Sequence, residues 1–491
     1  MLKDDFKEQI ENFLYERLDD KINYNYIEIE PEKLLSWSRL DLGFKIFYLK
    51  YKNKLPELSR SIYRSDIKAQ TLGTYKEFGN DKKDSFTKYE ECFEKIYLSI
   101  QSSGFNNKST LIPLSQDGAI LNGAHRVASS IHLNEKVGCI KTNLPSLICD
   151  YEYFLNRDVP KYMVESAVLE IIKYTSNTYV AFLWPSGSAN FKTTLKEFDR
   201  IIYKKEIKFE YNGKFNLLYE LYHHMDWIGD RNNNFLGINK KIIECFPNNM
   251  PIQVIFFQSD NLNKVREIKE KVRSICNLGF SSIHITDTKE ESLRISNLLL
   301  NDNGIHFLKY AKPLKKKKVN DKINHIHDFI KRYNIETDKL LVDSSFILEL
   351  YGLRESQDID YILDDDVNIE NKDSKMSCHD EVIVFYKKNK EEILYNPVNF
   401  FVYEGVKFIS FSKLFEMKKC RDEKKDRIDC KMMSSFISDD KITLFLSKIK
   451  SQLSYSKIRL KNNLITGVLY ILKKVKLYKL VRYIYRTVKR R

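Results

Sequence analysis

The stretch Leu341–Ile362, with the sequence LVDSSFILELYGLRESQDIDYI, decides the fold of the C-terminal half of the chain. It begins with apolar residues, passes through a short polar turn at 343–345, and continues with apolar residues at helical spacing. A Gly-Leu-Arg turn that ends at Arg354 then leads to Asp358-Ile359-Asp360. Residues two apart on a strand point to the same face, so Asp358 and Asp360 are predicted to lie side by side. Two adjacent carboxylates repel unless a cation lies between them, and the pattern therefore predicts a Mg²⁺ site.

The polar turn supplies a second chemical signal. Ser344 and Ser345 are predicted to lie at the N-terminus of the helix that follows the turn. Free backbone N–H groups and the helix dipole favour a phosphate at such a position. The turn and the two carboxylates together predict a site for a phosphate group and Mg²⁺.

The same stretch resembles the nucleotidyltransferase superfamily, in the branch that has a small-residue turn, a helix, Gly-x-x-Arg and then Asp-x-Asp. A second segment, Lys418–Met432 (KKCRDEKKDRIDCKM), is similar to the Lys-Asp-x-x-Asp helix of that branch through Lys425, Asp426 and Asp429. The resemblance implies a mixed-sheet domain that transfers a nucleoside monophosphate from an NTP, ATP or CTP, to a small-molecule or glycan acceptor. It also implies catalytic Asp358 and Asp360 that hold Mg²⁺, with Ser344, Ser345, Arg354, Lys425 and Asp426 binding the nucleotide.

The chain departs from this family pattern in two places. Asp343 leads the turn where the family has glycine. No third carboxylate stands out on the next strands, where Asp380, Glu392 and Asn396 are the candidates. A solvated turn before a strand is the alternative interpretation of the two aspartates at 358 and 360.

The stretch Leu111–Leu133, LIPLSQDGAILNGAHRVASSIHL, predicts a second phosphate site. A short strand, a turn at Asp117 and a second strand lead to Gly123, which opens an apolar helix with His125 and Arg126. Backbone N–H groups, the helix dipole and a guanidinium converge there, and Gly123 lets a phosphate approach the main chain.

The order Asp-Gly, strand, Gly-x-His-Arg resembles the ParB/sulfiredoxin fold. Members of that family bind nucleotide phosphates at this turn, and some phosphorylate small hydroxyl compounds. The resemblance implies a nucleotide-binding domain that is also a possible small-molecule kinase. A structural helix cap is the alternative interpretation of His125 and Arg126.

Residues 158–313 alternate between strand and helix signals. Strands are predicted at Tyr179–Leu183, Pro251–Phe257 and Ser281–Ile285, and this alternation favours an α/β domain with a largely parallel sheet. Ligands bind at the carboxyl ends of the strands in such sheets, which makes His284 and Asp287 a candidate site. A histidine that packs in the core is the alternative.

The net charge of +15 is concentrated at the C-terminal end. Residues 441–491 contain 15 Lys or Arg and no Asp or Glu, and the remaining 67 basic and 67 acidic residues cancel. The end of this tail, residues 464–491, has apolar residues at helical spacing among the cations and predicts a basic amphipathic helix. Such a helix favours the surface of an anionic membrane, and nucleic acid is the alternative partner.

Other features bound the class of protein. Eight scattered cysteines without a C-x-x-C pair argue against a zinc ribbon and a disulfide framework. The chain shows neither a signal-peptide pattern nor a run of 18 apolar residues. We therefore expect a cytoplasmic protein that is attached peripherally to the inner face of the cell membrane.

The expected fold class is a multidomain α/β and α+β protein. The domains are predicted at 1–157 (ParB/sulfiredoxin-like), 158–313 (central α/β) and 320–440 (nucleotidyltransferase-like), followed by the basic tail at 441–491. The lysine-rich segment Lys312–Asn320 is the predicted linker before the third domain.

The combined prediction is a Mg²⁺-dependent nucleotidyltransferase that activates or transfers a building block for bacterial surface-polysaccharide synthesis. Two other classes stay open. In one, the chain is a protein that binds or modifies nucleic acid. In the other, both nucleotide-binding folds are degenerate and the chain is a regulatory scaffold.

Overall fold

The computed structural model describes residues 1–77, 83–315, 317–370 and 373–436, and the isolated positions 460, 464, 467, 468, 472 and 474. Apart from these isolated positions, the predicted tail lies outside the described residues. The described part is a mixture of helices and three sheets, which confirms a multidomain α/β class. No helix in this part of the chain combines the length and the apolar character needed to cross a bilayer.

The N-terminal unit surrounds a small sheet with helices. Its elements are α1 Asn12–Tyr15, β1 Asn25–Ile29, α2 Asp41–Tyr51, α3 Pro56–Gln70, α4 Phe86–Ser103, β2 Ile112–Leu114, α5 Ala124–Leu133, β3 Val137–Lys141 and α6 Tyr151–Leu155. The strand order is β1-β3-β2, with β1 antiparallel and β2 parallel to β3. Helix α5, which follows the predicted phosphate turn, packs against α2 and α4.

The central unit contains a four-stranded sheet. Its elements are α7 Lys161–Tyr174, β4 Thr178–Leu183, α8 Phe191–Thr194, β5 Ile201–Ile207, α9 Tyr211–Tyr222, α10 Leu236–Cys245, β6 Ile252–Gln258, α11 Leu262–Cys276, β7 Ile283–Ile285, α12 Lys289–Leu299 and α13 Asp302–Tyr310. The strand order is β5-β6-β4-β7. Strands β4 and β6 are buried along their whole lengths because helices or other elements cover both faces of the sheet.

The direction of these strands corrects the sequence prediction. Every pairing in this sheet is antiparallel, so the expectation of a largely parallel sheet is wrong. A continuous apolar strand indicates that both faces are covered, and this condition does not fix the direction of its neighbours. The general rule that places ligands at the carboxyl ends of parallel strands therefore does not apply to β7.

The C-terminal unit is built on a five-stranded mixed sheet. Its elements are α14 Lys317–Arg332, β8 Leu340–Asp343, α15 Ser345–Leu350, β9 Ile359–Leu363, β10 Met376–Cys378, α16 Ile383–Tyr386, α17 Lys390–Tyr395, β11 Phe400–Tyr403, β12 Val406–Ile409, α18 Phe411–Arg421 and α19 Lys424–Met433. The strand order is β10-β9-β8-β12-β11. Strand β8 is antiparallel to β9 and parallel to β12, which confirms a mixed sheet.

The three units are packed against one another. One apolar core extends from Leu34 in the N-terminal unit to Met433 in the C-terminal unit. Phe307 of α13 lies against two rings of β11, those of Phe401 and Tyr403, at centroid distances of 4.8 and 4.6 Å. The predicted linker includes a short 3₁₀ turn at Pro313–Lys315 and the beginning of α14.

Candidate functional site

The polar turn at the end of β8 has an unusual backbone. Ser344 lies between β8 and α15 with φ +60° and ψ −135°, a conformation that residues with a side chain rarely adopt. Its side chain is buried, and its Oγ lies 3.0 Å from Nδ1 of His379. Ser345, the first residue of α15, is half-buried. Strained backbone of this kind persists only where the surrounding structure holds it, and here His379 contributes to that support.

Three aspartates meet beside this turn. Asp343 and Asp360 are directly opposed in the antiparallel pair formed by β8 and β9. Asp358 lies two residues before Asp360, directly before β9 begins at residue 359. Burial raises the pKa of Asp360, and the nearby carboxylates of Asp358 and Asp343 raise it further, against the opposing influence of His379. The three carboxylates therefore repel one another, as the sequence predicted for the pair at 358 and 360.

The three carboxylates differ in their partners. The Asp343 carboxylate is buried and accepts hydrogen bonds from the Tyr386 hydroxyl and, at 3.3 Å, from Nδ1 of His379. Asp360 is half-buried and lies opposite Asp343 in the strand pair. Asp358 is exposed and makes no hydrogen bond or ion pair with any residue that the structure describes. Asp358 and Asp360 are thus the carboxylates that a ligand can reach most directly.

Asp343 is a third carboxylate beside the pair at 358 and 360, and the sequence prediction did not name it. Of the candidates that were named, Asp380 pairs with Lys390 at 2.7 Å, and Glu392 accepts from the Asn396 amide at 2.9 Å within α17 and its cap. The one feature of the sequence that could have indicated Asp343 is its position at the end of an apolar strand, next to the predicted turn. His379 and Tyr386 follow Asp343 by 36 and 43 residues, and no pattern in the sequence connects them to it.

The two motifs of the nucleotidyltransferase resemblance are joined by an ion pair. Arg354 donates two hydrogen bonds to the Asp429 carboxylate, at 2.7 and 2.9 Å. Lys418, which is 2% exposed, lies 2.9 Å from the same carboxylate and 3.2 Å from that of Asp426. Arg354 and Asp429 therefore fix α19 against the segment that leads into β9.

Asp426 is held by cations, whereas Lys425 points away from it. Arg421 donates to both oxygens of Asp426 at 2.8 Å. Burial alone would raise the pKa of Asp426, but the hydrogen bonds from Arg421 and the charge of Lys418 hold it below its usual range. Lys425 is 64% exposed and pairs with Glu423 at 3.3 Å. The buried cation beside these acids is Lys418, which the sequence prediction did not include.

The acid cluster fits Mg²⁺ only together with a substrate. Among the described residues, no group of three or more His, Cys, Asp or Glu side chains is arranged to hold a metal ion. Magnesium usually takes one or two carboxylates and completes its octahedron with water and the phosphates of a bound nucleotide. The Asp343 carboxylate is already bound by Tyr386 and His379. Asp358 and Asp360 are therefore the two carboxylates of the cluster that can supply this pair.

The N-terminal turn leads into a helix directly after Gly123, as predicted, but the predicted second strand is reduced to one isolated bridge between Leu114 and Ile120. Gly123 has φ +93°, and a Cβ added to it would lie 2.6 Å from Cδ1 of Ile112. Only glycine fits this position without displacing its neighbours.

The two basic side chains that follow Gly123 have internal partners. His125 forms a hydrogen bond of 2.8 Å with the Tyr63 hydroxyl, and its ring lies 4.6 Å from that of Phe93. Burial, together with the charges of Lys45 and Lys83, holds the pKa of His125 well below its usual value, so the imidazole is neutral at pH 7. Arg126 donates to Glu11 at 2.8 Å and also to the hydroxyl of Thr110.

Asp117 lies in the turn before Gly123 and is also engaged. Its carboxylate accepts from the Ser115 hydroxyl at 2.5 Å and from the Ser146 hydroxyl. These two hydrogen bonds lower the pKa of Asp117. Phosphate binding at this turn remains a prediction.

The central candidates lie at the junction of β7 and α12. His284 lies 3.4 Å from Oε1 of Glu291, and its ring contacts those of Phe182 and Tyr222. Asp287 is exposed and pairs with Lys269 at 3.2 Å. The two side chains thus have separate partners, and a central ligand site also remains a prediction.

Comparison with protein-family models, with the curated proteins and with the solved structures returned no match to this chain. The resemblances drawn from short motifs therefore stand on the residues themselves. For the nucleotidyltransferase motifs, these residues are joined in space by the Arg354–Asp429 pair.

Proposed function

We propose that the C-terminal unit is a Mg²⁺-dependent nucleotidyltransferase. The observation that carries this proposal is the pair formed by Asp358 and Asp360 beside a tight strand-to-helix turn. Asp358 makes no hydrogen bond or ion pair with the described residues, and burial, together with the like charges of Asp358 and Asp343, raises the pKa of Asp360. An arrangement that is unfavourable in the free protein becomes favourable when a cation and a triphosphate occupy it.

In this proposal Asp358 and Asp360 hold Mg²⁺, which would neutralise the triphosphate and stabilise charge on the attacking and leaving oxygens. Ser345 and the backbone N–H groups of the turn position a phosphate. His379 and Tyr386 hold the Asp343 carboxylate, and thereby keep the strained Ser344 turn in place. An acceptor hydroxyl would lose its proton to solvent and form a bond to the α-phosphorus, while the bond from that phosphorus to the pyrophosphate oxygen breaks and pyrophosphate leaves.

The acceptor class follows from the wider proposal of a role in surface-polysaccharide synthesis. Sugar phosphates and polyols are therefore the first acceptors to be tested. The chain would be incubated with Mg²⁺, each of the four NTPs, and a panel of sugar phosphates, polyols and amino acids. We expect mass spectrometry to find an acceptor with the added mass of a nucleoside monophosphate, and released pyrophosphate.

The decisive variants are Asp358→Asn and Asp360→Asn. Each should lower the rate of transfer by about 100-fold or more, because the cation loses a charged ligand. Asp365→Asn is the matched control, since Asp365 is an exposed carboxylate of the same unit that pairs only with Lys390 among the described residues. The proposal fails if the parent protein transfers no nucleotide and shows no Mg²⁺-dependent stabilisation by any NTP.

A further inference from the structure

A cavity of about 660 Å³ lies where the three units meet. Its walls come from α2 and α7, from α12, and from the strands β11 and β12 with the turn that precedes β8. This volume is within the range of small-molecule sites. No residue of the acid cluster lines it.

The cavity and the acid cluster lie at opposite ends of β8. Asp338 lines the cavity just before the strand begins, whereas Asp343 ends the strand in the acid cluster. Strand β8 alone is roughly 10 Å long. A small ligand in the cavity therefore does not reach Asp358 or Asp360, and the cavity is a separate site.

One cation of the cavity has no hydrogen bond. Lys50 extends from α2, and its Nζ lies 3.8 Å from Oδ2 of Asp338, its nearest ionic partner. It donates no hydrogen bond to any residue that the structure describes. Burial acts to lower the pKa of Lys50, but the carboxylates of Glu170 and Asp338 outweigh burial and raise it, so the ammonium stays charged.

The other Lys and Arg side chains at the cavity wall already have hydrogen-bond partners. Lys173 donates to Glu170 at 2.6 Å, and Lys407 donates to the backbone carbonyls of Asp338 and Leu394. Arg294 is bound to Glu220 at 2.6 Å. Lys50 is therefore the described cation of the cavity wall whose N–H groups are still free to donate to an anion.

One buried acceptor atom of the cavity also lacks a hydrogen bond. Glu170 is 1% exposed, and its Oε2 accepts no hydrogen bond from the described residues, although its Oε1 accepts from Lys173. A buried carboxylate oxygen without a donor is costly, and a ligand hydroxyl would remove that cost. The rings of Tyr51, Tyr395 and Phe400 supply apolar faces between the polar groups.

We propose that this cavity binds a small polyol that carries one anionic group, with Lys50 holding the anion and Glu170 accepting from a hydroxyl. This proposal does not depend on nucleotidyl transfer. Phosphate and carboxylate are the two forms of anion that Lys50 would accept. Because all three units line the cavity, bound ligand would also stabilise the whole chain.

The test measures binding of four probes to the full chain by calorimetry and thermal unfolding. Glucose 6-phosphate and gluconate carry the two anions, glucose has none, and inorganic phosphate lacks the polyol. We expect glucose 6-phosphate, gluconate or both to bind more tightly than glucose and phosphate. The difference between the two anionic probes identifies the preferred anion.

Variants locate the binding. Lys50→Met should lower the affinity for the anionic probe by about tenfold or more. Glu170→Gln should lower the ratio of the affinity for this probe to the affinity for inorganic phosphate by about fivefold. Lys50→Arg should retain binding, which separates loss of charge from damage to the fold. Lys271→Met is the matched control, because Lys271 lies 3.7 Å from Glu197 on the outer surface.

Three results would overturn the proposal. In the first, none of the four probes binds the parent. In the second, Lys50→Met binds as the parent does, or Lys50→Arg loses as much as Lys50→Met. In the third, Asp358→Asn abolishes binding of the probes, which would place them at the acid cluster. Retained binding in Asp358→Asn would support the cavity even if nucleotidyl transfer is never detected.

Discussion

The N-terminal turn at Gly123 and the acid cluster at Asp358 have similar motifs but differ in what their side chains do. Both place polar residues at the start of a helix that follows a buried strand. At the N-terminal turn, His125 and Arg126 each have partners within the protein. At the acid cluster, Asp358 makes no hydrogen bond or ion pair with the described residues. A motif therefore predicts the backbone, whereas the partners of its side chains indicate whether a ligand is needed.

Two histidines show the same contrast in their charge. His125 is surrounded by aromatic rings and cations, and burial with these charges lowers its pKa. His379 is half-buried, and its partial burial alone would lower its pKa, but the carboxylates of Asp343 and Asp360 outweigh this effect and raise it. The N-terminal turn thus holds a neutral imidazole, and the acid cluster holds one that is more readily protonated.

The largest effect on stability is expected from the Arg354–Asp429 pair. Arg354→Leu should lower the free energy of unfolding by about 2 kcal/mol, because Asp429 is buried and keeps only Lys418 as a cationic partner. The loss should appear in urea unfolding, together with reduced nucleotidyl transfer. Arg427→Leu is the matched control.

Arg427 also donates two hydrogen bonds to an aspartate, Asp422, at 2.8 and 3.0 Å. That pair is exposed, and its removal should cause no measurable loss of stability. Equal losses in the free energy of unfolding of the two variants would mean that the Arg354–Asp429 pair contributes no more to stability than an exposed ion pair does. The acid cluster would then lack the support that distinguishes it from the N-terminal turn.

A pH-dependent effect of similar size is expected from His125. Its folded pKa is well below the unfolded value of 6.5, so the unfolded chain binds the extra proton and stability falls as the pH drops below 6.5. His125→Phe removes this dependence. The free energy of unfolding of the parent minus that of the variant should therefore be about 2 kcal/mol smaller at pH 5 than at pH 8.

Unfolding in urea at several pH values between 5 and 8 measures this difference. A constant difference across the range would show that the imidazole titrates alike in both states. His125 would then be accessible to solvent, and the N-terminal turn would resemble the acid cluster more closely than its hydrogen bonds suggest.

Much of the C-terminal fold could be predicted from the sequence, because it depends on local patterns. The apolar strand before Asp343, the helix after it and the strand after Asp358 all follow from periodicity. The partners of Asp343 could not be predicted in the same way. His379 and Tyr386 reach it through the placement of β10 and α16, which is a property of the tertiary fold.

The choice between Lys418 and Lys425 shows why the rest of the site was missed. The segment has several cations, and the Lys-Asp-x-x-Asp pattern favoured Lys425. Helix α18 ends at Arg421, and Asp422 follows with φ +54°, so α19 begins in a new direction. This break points Lys418 toward the acids of α19 and Lys425 toward solvent, and helical periodicity across the segment cannot predict it.

The smallest effect is expected from His379, and it has the opposite sign to that of His125. Since the folded pKa of His379 is raised, its contribution is fully present below pH 6.5 and is lost as the pH rises through the folded value. His379→Asn should therefore be less stable than the parent by under about 1 kcal/mol at pH 6, because the pair with Asp343 is partly open to solvent. Urea unfolding from pH 6 to pH 9 should show this difference shrinking. A difference that grows with pH would mean that Asp343 does not hold the proton on His379, and the acid cluster would then have lost the feature that sets it apart from the neutral histidine at the N-terminal turn.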